Sequence, residues 1–137
     1  MRSVLMMTIF ISLFSCNSNQ SPASESEKST LSLNEGKKWN VNNEMKPHIE
    51  EARKMVANYI ADEDNDYELL HTRLKKQNEL LIKSCTMKGA SHDELHKWLH
   101  PHITLVKSLG EADNSDAAQE YVALLETSFN NYSDYFD

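Results

Sequence analysis

From Lys38 onward, apolar residues recur along the chain at steps of three and four, the spacing of one face of an α-helix. Met45, Ile49, Ala52, Met55, Val56 and Tyr59 predict a first helix to about Ala61, with Asn42 or Asn43 as its cap and Pro47 tolerated in its first turn. The acidic run Asp62-Glu63-Asp64-Asn65-Asp66 predicts a turn and places negative charge at the start of a second helix, where the dipole favours it. That helix is predicted over Asp66 to Met87, with Tyr67, Leu70, Leu74, Leu81 and Cys85 along one side and Gly89 as its C-terminal cap. Ser91-His92-Asp93-Glu94 has the S-x-x-E form of a capping box and opens a third helix. Leu95, Leu99, Ile103, Val106 and Leu109 are its stripe, Trp98 flanks it, and Pro101 inside it predicts a kink. After a turn at Gly110 to Ser115, a fourth helix over Asp116 to Tyr135 carries Ala118, Tyr121, Val122, Leu125, Phe129 and Tyr132, with Phe136 just beyond.

No segment alternates with the period of a strand. Four helices joined by loops of a few residues predict an all-α domain over 38–137, an antiparallel up-down-up-down four-helix bundle. At roughly 1.5–3 kcal/mol per fully buried large apolar side chain, these stripes can build a core without disulfides.

The N-terminal part has a different texture. Asn17 to about Glu35 is dominated by Ser, Asn, Glu and Gln without apolar periodicity, so residues 16–37 are predicted to be a flexible, disordered linker. Ahead of it, Val4 to Phe14 is apolar apart from Thr8 and Ser12 and follows Arg2. This run is about half the ~20 residues a membrane-spanning helix needs, which fits the core of a signal peptide. It ends in Leu13-Phe14-Ser15-Cys16, which resembles the lipobox of bacterial lipoproteins. The resemblance implies a signal peptide at residues 1–15, cleavage before Cys16 and a diacylglycerol on its thiol. The expected location is then the bacterial cell envelope, on the outer membrane, facing the periplasm or the surface. Beyond the lipobox the chain resembles small bacterial envelope lipoproteins.

Charge narrows the partners. With 14 basic and 21 acidic residues the net charge is −7, and loss of Arg2 with a signal peptide makes it one unit more negative. Such a chain is repelled by phosphate backbones, so nucleic acid is excluded as an expected partner. The membrane is expected to be reached through lipid on Cys16.

One stretch stands out chemically: Cys85 to His102, CTMKGASHDELHKWLHPH. With Cys16 lipidated, Cys85 would be the only free thiol in an oxidising compartment, where an unpaired cysteine calls for a reason. The bundle topology brings the start of the first helix, the end of the second and the start of the third to one end. Met45 and His48, Cys85 and Met87, and His92 and His96 are therefore expected to converge there, with Tyr132 and Tyr135 completing the wall. His92 and His96 have the i, i+4 spacing that places two imidazoles on one helix face. Thiolate and thioether favour copper, and a Cys/His/His set suits zinc as well. Each of these residues has a plainer reading. Cys85 serves equally as a small core residue, His48 as a core histidine, and Met45 and Met55 as core filler. His100 and His102, flanking Pro101, are expected at surface and seam, and His71 at the opposite end.

Other chemistries fit less well. His92-Asp93-Glu94-Leu95-His96 resembles the zinc-protease motif H-E-x-x-H, but Asp93 occupies the second position and Glu94 comes one residue too late for the general base. The fourth helix has no histidine and there is no C-x-x-C-H, which argues against haem. Cys85 with His92 or His96 as base would lack an orienting third group and a glycine-rich oxyanion loop, so an enzyme is not expected. The reading that remains is a membrane-anchored envelope lipoprotein that binds copper or zinc for capture, buffering or delivery. The alternative is a non-metal protein that presents Trp98, Tyr132, Tyr135 and Phe136 to another envelope protein.

Overall fold

The computed structural model describes residues 30–137. The segments expected to be a signal peptide and, up to residue 29, a linker, together with Cys16, lie outside the described residues. Four helices follow: α1 (Lys46–Ala61), α2 (Tyr67–Lys83), α3 (Ala90–Gly110) and α4 (Ser115–Tyr135). Each packs on the next and α4 closes against α1, giving a four-helix bundle. There is no strand among the described residues, only isolated bridges joining Asn34 to Lys37 and Trp39 to Phe136. No described helix is long and apolar enough to cross a membrane.

The stripes that predicted the helices form the core. Ile49, Ala52, Val56 and Tyr59 of α1 are buried, as are Leu70, Leu74 and Leu81 of α2. Leu95, Leu99, Val106 and Leu109 of α3 meet Ala118, Val122, Leu125, Phe129 and Tyr132 of α4. Between them they remove a continuous apolar surface from water, the main favourable term in folding.

The helix ends differ from the sequence expectation, each for a physical reason. Met45 occupies the N-cap position of α1, without a side-chain cap bond. Asn42 instead reaches the end of α2: its Nδ2 donates to the Ser84 carbonyl at 3.0 Å and its Oδ1 accepts from the Thr86 N–H at 3.4 Å. It thus satisfies a carbonyl that the last turn of α2 leaves unpaired. α2 stops at Lys83 with Ser84 as C-cap, so Cys85 and Met87 lie in the connection rather than on the helix. Gly89 is the N-cap of α3, at φ +70° and ψ −153°, a region that essentially only glycine occupies. With Gly89 setting the start, the Ser91–Glu94 capping box does not form. Pro101 sits on the exposed side of α3, and the helix runs continuously through it. The N-caps of α2 and α4 are regular: Asp66 accepts from Leu69 N–H at 2.9 Å, and Asn114 from Ala117 N–H at 3.0 Å.

Residues 30–41, whose first part the sequence assigns to the linker, lie against the bundle. The Trp39 N–H donates to the Tyr135 carbonyl at 2.8 Å and the Asp137 N–H to the Trp39 carbonyl at 3.1 Å, joining the segment to the C-terminus. Trp39 Nε1 donates to the Ser32 carbonyl at 2.6 Å, and Ser32 N–H and Oγ both donate to Glu94 of α3. Val41 is buried and Leu31 half-buried on the core.

Candidate functional site

The expected ligands distribute unevenly. Met45 is fully buried and belongs to the core. Cys85 is a free thiol, half-buried, and it and Met87 pack against the same core. His48 faces α2, where its Nδ1 donates to Gln77 Oε1 at 3.1 Å. Only His92 and His96 are brought side by side, with ring centroids 4.3 Å apart. Among the described residues, no three or more His, Cys, Asp or Glu side chains are gathered so as to hold one metal ion. Cys85, His92 and His96 therefore do not form a joint site as they stand.

The imidazoles continue along α3 in a direction the sequence reading did not follow. His96 Nδ1 lies 3.0 Å from His100 Nε2, with the two rings edge to face at 4.8 Å. His92, His96 and His100 thus form an i, i+4, i+8 row on one side of α3, with His100 exposed and the other two half-buried. Burial, followed by the neighbouring imidazoles of His92 and His100, pushes the His96 pKa down, and Asp93 opposes them only in part. A neutral imidazole is the form that accepts a metal. The repeat H-x3-H-x3-H was visible in the sequence; pairing His100 with His102 across Pro101 hid it.

His102 belongs elsewhere. It is 1% exposed, stacks on Trp98 at 4.8 Å, meets Phe129 edge to face at 4.7 Å and shares a 3.1 Å hydrogen bond with Ser128 Oγ. Burial lowers its pKa to about 4, so it is a neutral core residue. Trp98 Nε1 donates to the Ser128 carbonyl at 2.8 Å, and Trp98, Tyr132 and Phe136 are all buried. These aromatics form the interior of the α3–α4 seam and present no outer contact surface; Tyr135 is half-buried. The exposed large apolar residues are Leu33 of the N-terminal segment, Ile60 of α1, Leu69 and Ile82 at opposite ends of α2, and Leu124 of α4.

Glu94, expected in a capping box with Ser91, has other partners. It is 5% exposed on α3, accepts from Lys97 Nζ at 2.7 Å and holds the Ser32 donors. Burial alone would raise its pKa, but Lys97 and Ser32 outweigh that and hold it below the ordinary carboxylate value. It ties the segment 30–41 to the turn of α3 that carries His92 and His96.

Comparison of the chain with protein-family models, curated proteins and solved structures gave no match.

Proposed function

We propose that this chain is a lipid-anchored protein of a bacterial envelope whose bundle captures a transition-metal ion through the histidines of α3. The observation that carries the reading is the 3.0 Å between His96 Nδ1 and His100 Nε2. Two nitrogens bound to one ion at about 2.0–2.1 Å stand about 3 Å apart at a right angle and slightly more at a tetrahedral one. The pair is therefore spaced as the two arms of a chelate, and an ion lying to one side of the line between the nitrogens would bind both in place of their hydrogen bond. The anchor rests on the lipobox-like Leu13-Phe14-Ser15-Cys16, and Ser32 on Glu94 would tether the bundle beside the histidine row.

With Cys85 and Met87 engaged by the core, the donors left are imidazoles, which suit copper(II) and zinc(II) rather than copper(I). A two-armed site on an open helix face also suits exchange. Structural zinc sites are closed by four protein ligands, whereas this one leaves positions free for another donor. Capture with ready release corresponds to buffering or hand-over rather than to structural support.

The test is a competition titration with copper(II) and zinc(II), comparing wild type with His96→Ala, His100→Ala and Cys85→Ser. Metal binding lost in both histidine variants and kept in Cys85→Ser is the expected result. Binding that disappears in Cys85→Ser, or survives in both histidine variants, would sink the reading.

A further inference from the structure

Two converging imidazoles are half of a coordination shell. Zinc(II) takes four ligands in a tetrahedron, and copper(II) takes four in a tetragonal plane. On one chain the His96–His100 pair supplies two, and among the described residues no third His, Cys, Asp or Glu, neighbouring His92 included, is placed to hold one ion with it. The soft donors Cys85 and Met87 lie against the core, while His100, Pro101 and Thr104 leave this side of α3 open to solvent.

We infer that the missing ligands come from the same pair on a second copy of the chain, so that one divalent ion is held by four imidazoles across a two-fold axis. The inference rests on the proposed metal capture by His96 and His100. A two-fold interface uses the same patch on both partners, and a pair of convergent donors on an open helix face meets that requirement without further matching surfaces. Charge makes the association conditional on the ion. Each copy carries a net −7, so two copies repel, and a divalent cation between them offsets that repulsion where they meet. Binding of the ion and pairing of the chains are then one event, and withdrawal of the ion separates them.

The experiment uses the full chain in detergent under reducing conditions. Zinc(II) is titrated calorimetrically and the mass is followed by sedimentation, for wild type, His100→Ala and His92→Ala. The expected result is half an equivalent of zinc per chain with doubling of the mass, reversed by a chelator. His100→Ala, at an exposed position, should abolish both while leaving the far-ultraviolet circular dichroism unchanged. His92→Ala should keep both, because His92 neighbours the pair without being one of the four ligands. One full equivalent bound by a monomer overturns the shared site and leaves metal capture standing. Loss of binding in His92→Ala also overturns it, since the third ligand would then come from the same chain. Absence of zinc binding in wild type overturns the inference, and absence of copper(II) binding as well overturns metal capture with it; a dimer that forms without metal or persists in His100→Ala overturns the inference alone.

Discussion

The imidazole of His71 on α2 lies directly over Gly110 at the end of α3. Its Nδ1 donates to the Val106 carbonyl at 2.8 Å, and a Cβ at Gly110 would fall 2.5 Å from the ring. The histidine thus binds the last turn of α3 to α2, and glycine is what allows it to approach. Gly110→Ala should therefore destabilise the bundle, although alanine is the better helix former by about 1 kcal/mol. Overpacking of this kind costs about 1–3 kcal/mol, so against that gain a net loss of up to about 2 kcal/mol is expected in urea unfolding. In a His71→Ala background the same substitution should become neutral or favourable. A loss of equal size in both backgrounds would mean that contact with His71 is not the reason for the glycine.

Glu94 makes a second long-range connection, between α3 and the segment that leads into the bundle. Removing its carboxylate frees both Ser32 donors and Lys97. Lys97 is partly exposed and can return to water. Glu94→Ala is expected to cost about 1–3 kcal/mol, the range for a buried charge-assisted hydrogen bond. Amide exchange at Ser32 and protease cleavage within 30–41 should both accelerate, with α4 protected as before. Unchanged exchange at Ser32 would show that the segment is held by Trp39 and Val41 alone.

The helices were legible because their cores obey one rule: Ala118, Val122, Leu125, Phe129 and Tyr132 repeat at helical steps, and each is buried. Their ends were less legible, because a cap is decided by which competing partner a short side chain finds. Asn42 found the end of α2, Glu94 found Ser32, and Gly89 opened α3 instead of closing α2. None of these choices is encoded locally. Residues 30–37 were read as linker for a related reason: Leu31 and Leu33 are too few to show a period, and the Glu94 that holds Ser32 lies 62 residues further along the chain. Of the candidate ligands, the His92–His96 juxtaposition followed from the i, i+4 spacing. Convergence of Cys85, Met45 and His48 with them was an argument from topology alone. It could not foresee that one helix end offers several inward directions, of which the core took Met45 and α2 took His48.

Tyr59 presents a simple test of polar burial. Its hydroxyl is enclosed near the α1–α2 turn and has no hydrogen-bond partner among the described residues. Burial, with Asp64 and Asp66 nearby, raises its pKa and keeps it un-ionised. A buried hydroxyl without a partner costs about 1–3 kcal/mol in lost hydration, so its deletion should relieve strain on folding rather than create it. Tyr59→Phe keeps the ring and should leave stability unchanged or raise it by about 1 kcal/mol. A fall of similar size in thermal or urea unfolding would mean that the hydroxyl does have a partner, such as an ordered water.

His102 should make the bundle sensitive to mild acid. Its pKa is about 4 in the folded chain, against an ordinary value of 6.5, because burial between Trp98 and Phe129 disfavours the charged ring. The unfolded chain therefore takes up the proton first as the pH falls. The histidine's contribution is fully present above about pH 6.5, declines as the pH drops from there towards 4, and is gone below that, where both states are protonated. At 1.36 kcal/mol per pH unit the whole effect is about 3 kcal/mol. Carboxylates titrate near the lower end of the same window, so the measurement must be a difference. Wild type and His102→Gln are unfolded in urea at a series of pH values with a chelator present. Glutamine retains a hydrogen-bonding partner for Ser128 and cannot titrate, so its stability curve should be flatter by about 3 kcal/mol between pH 6.5 and 4. Parallel curves would mean that the ring is reached by water and carries its proton in the folded bundle.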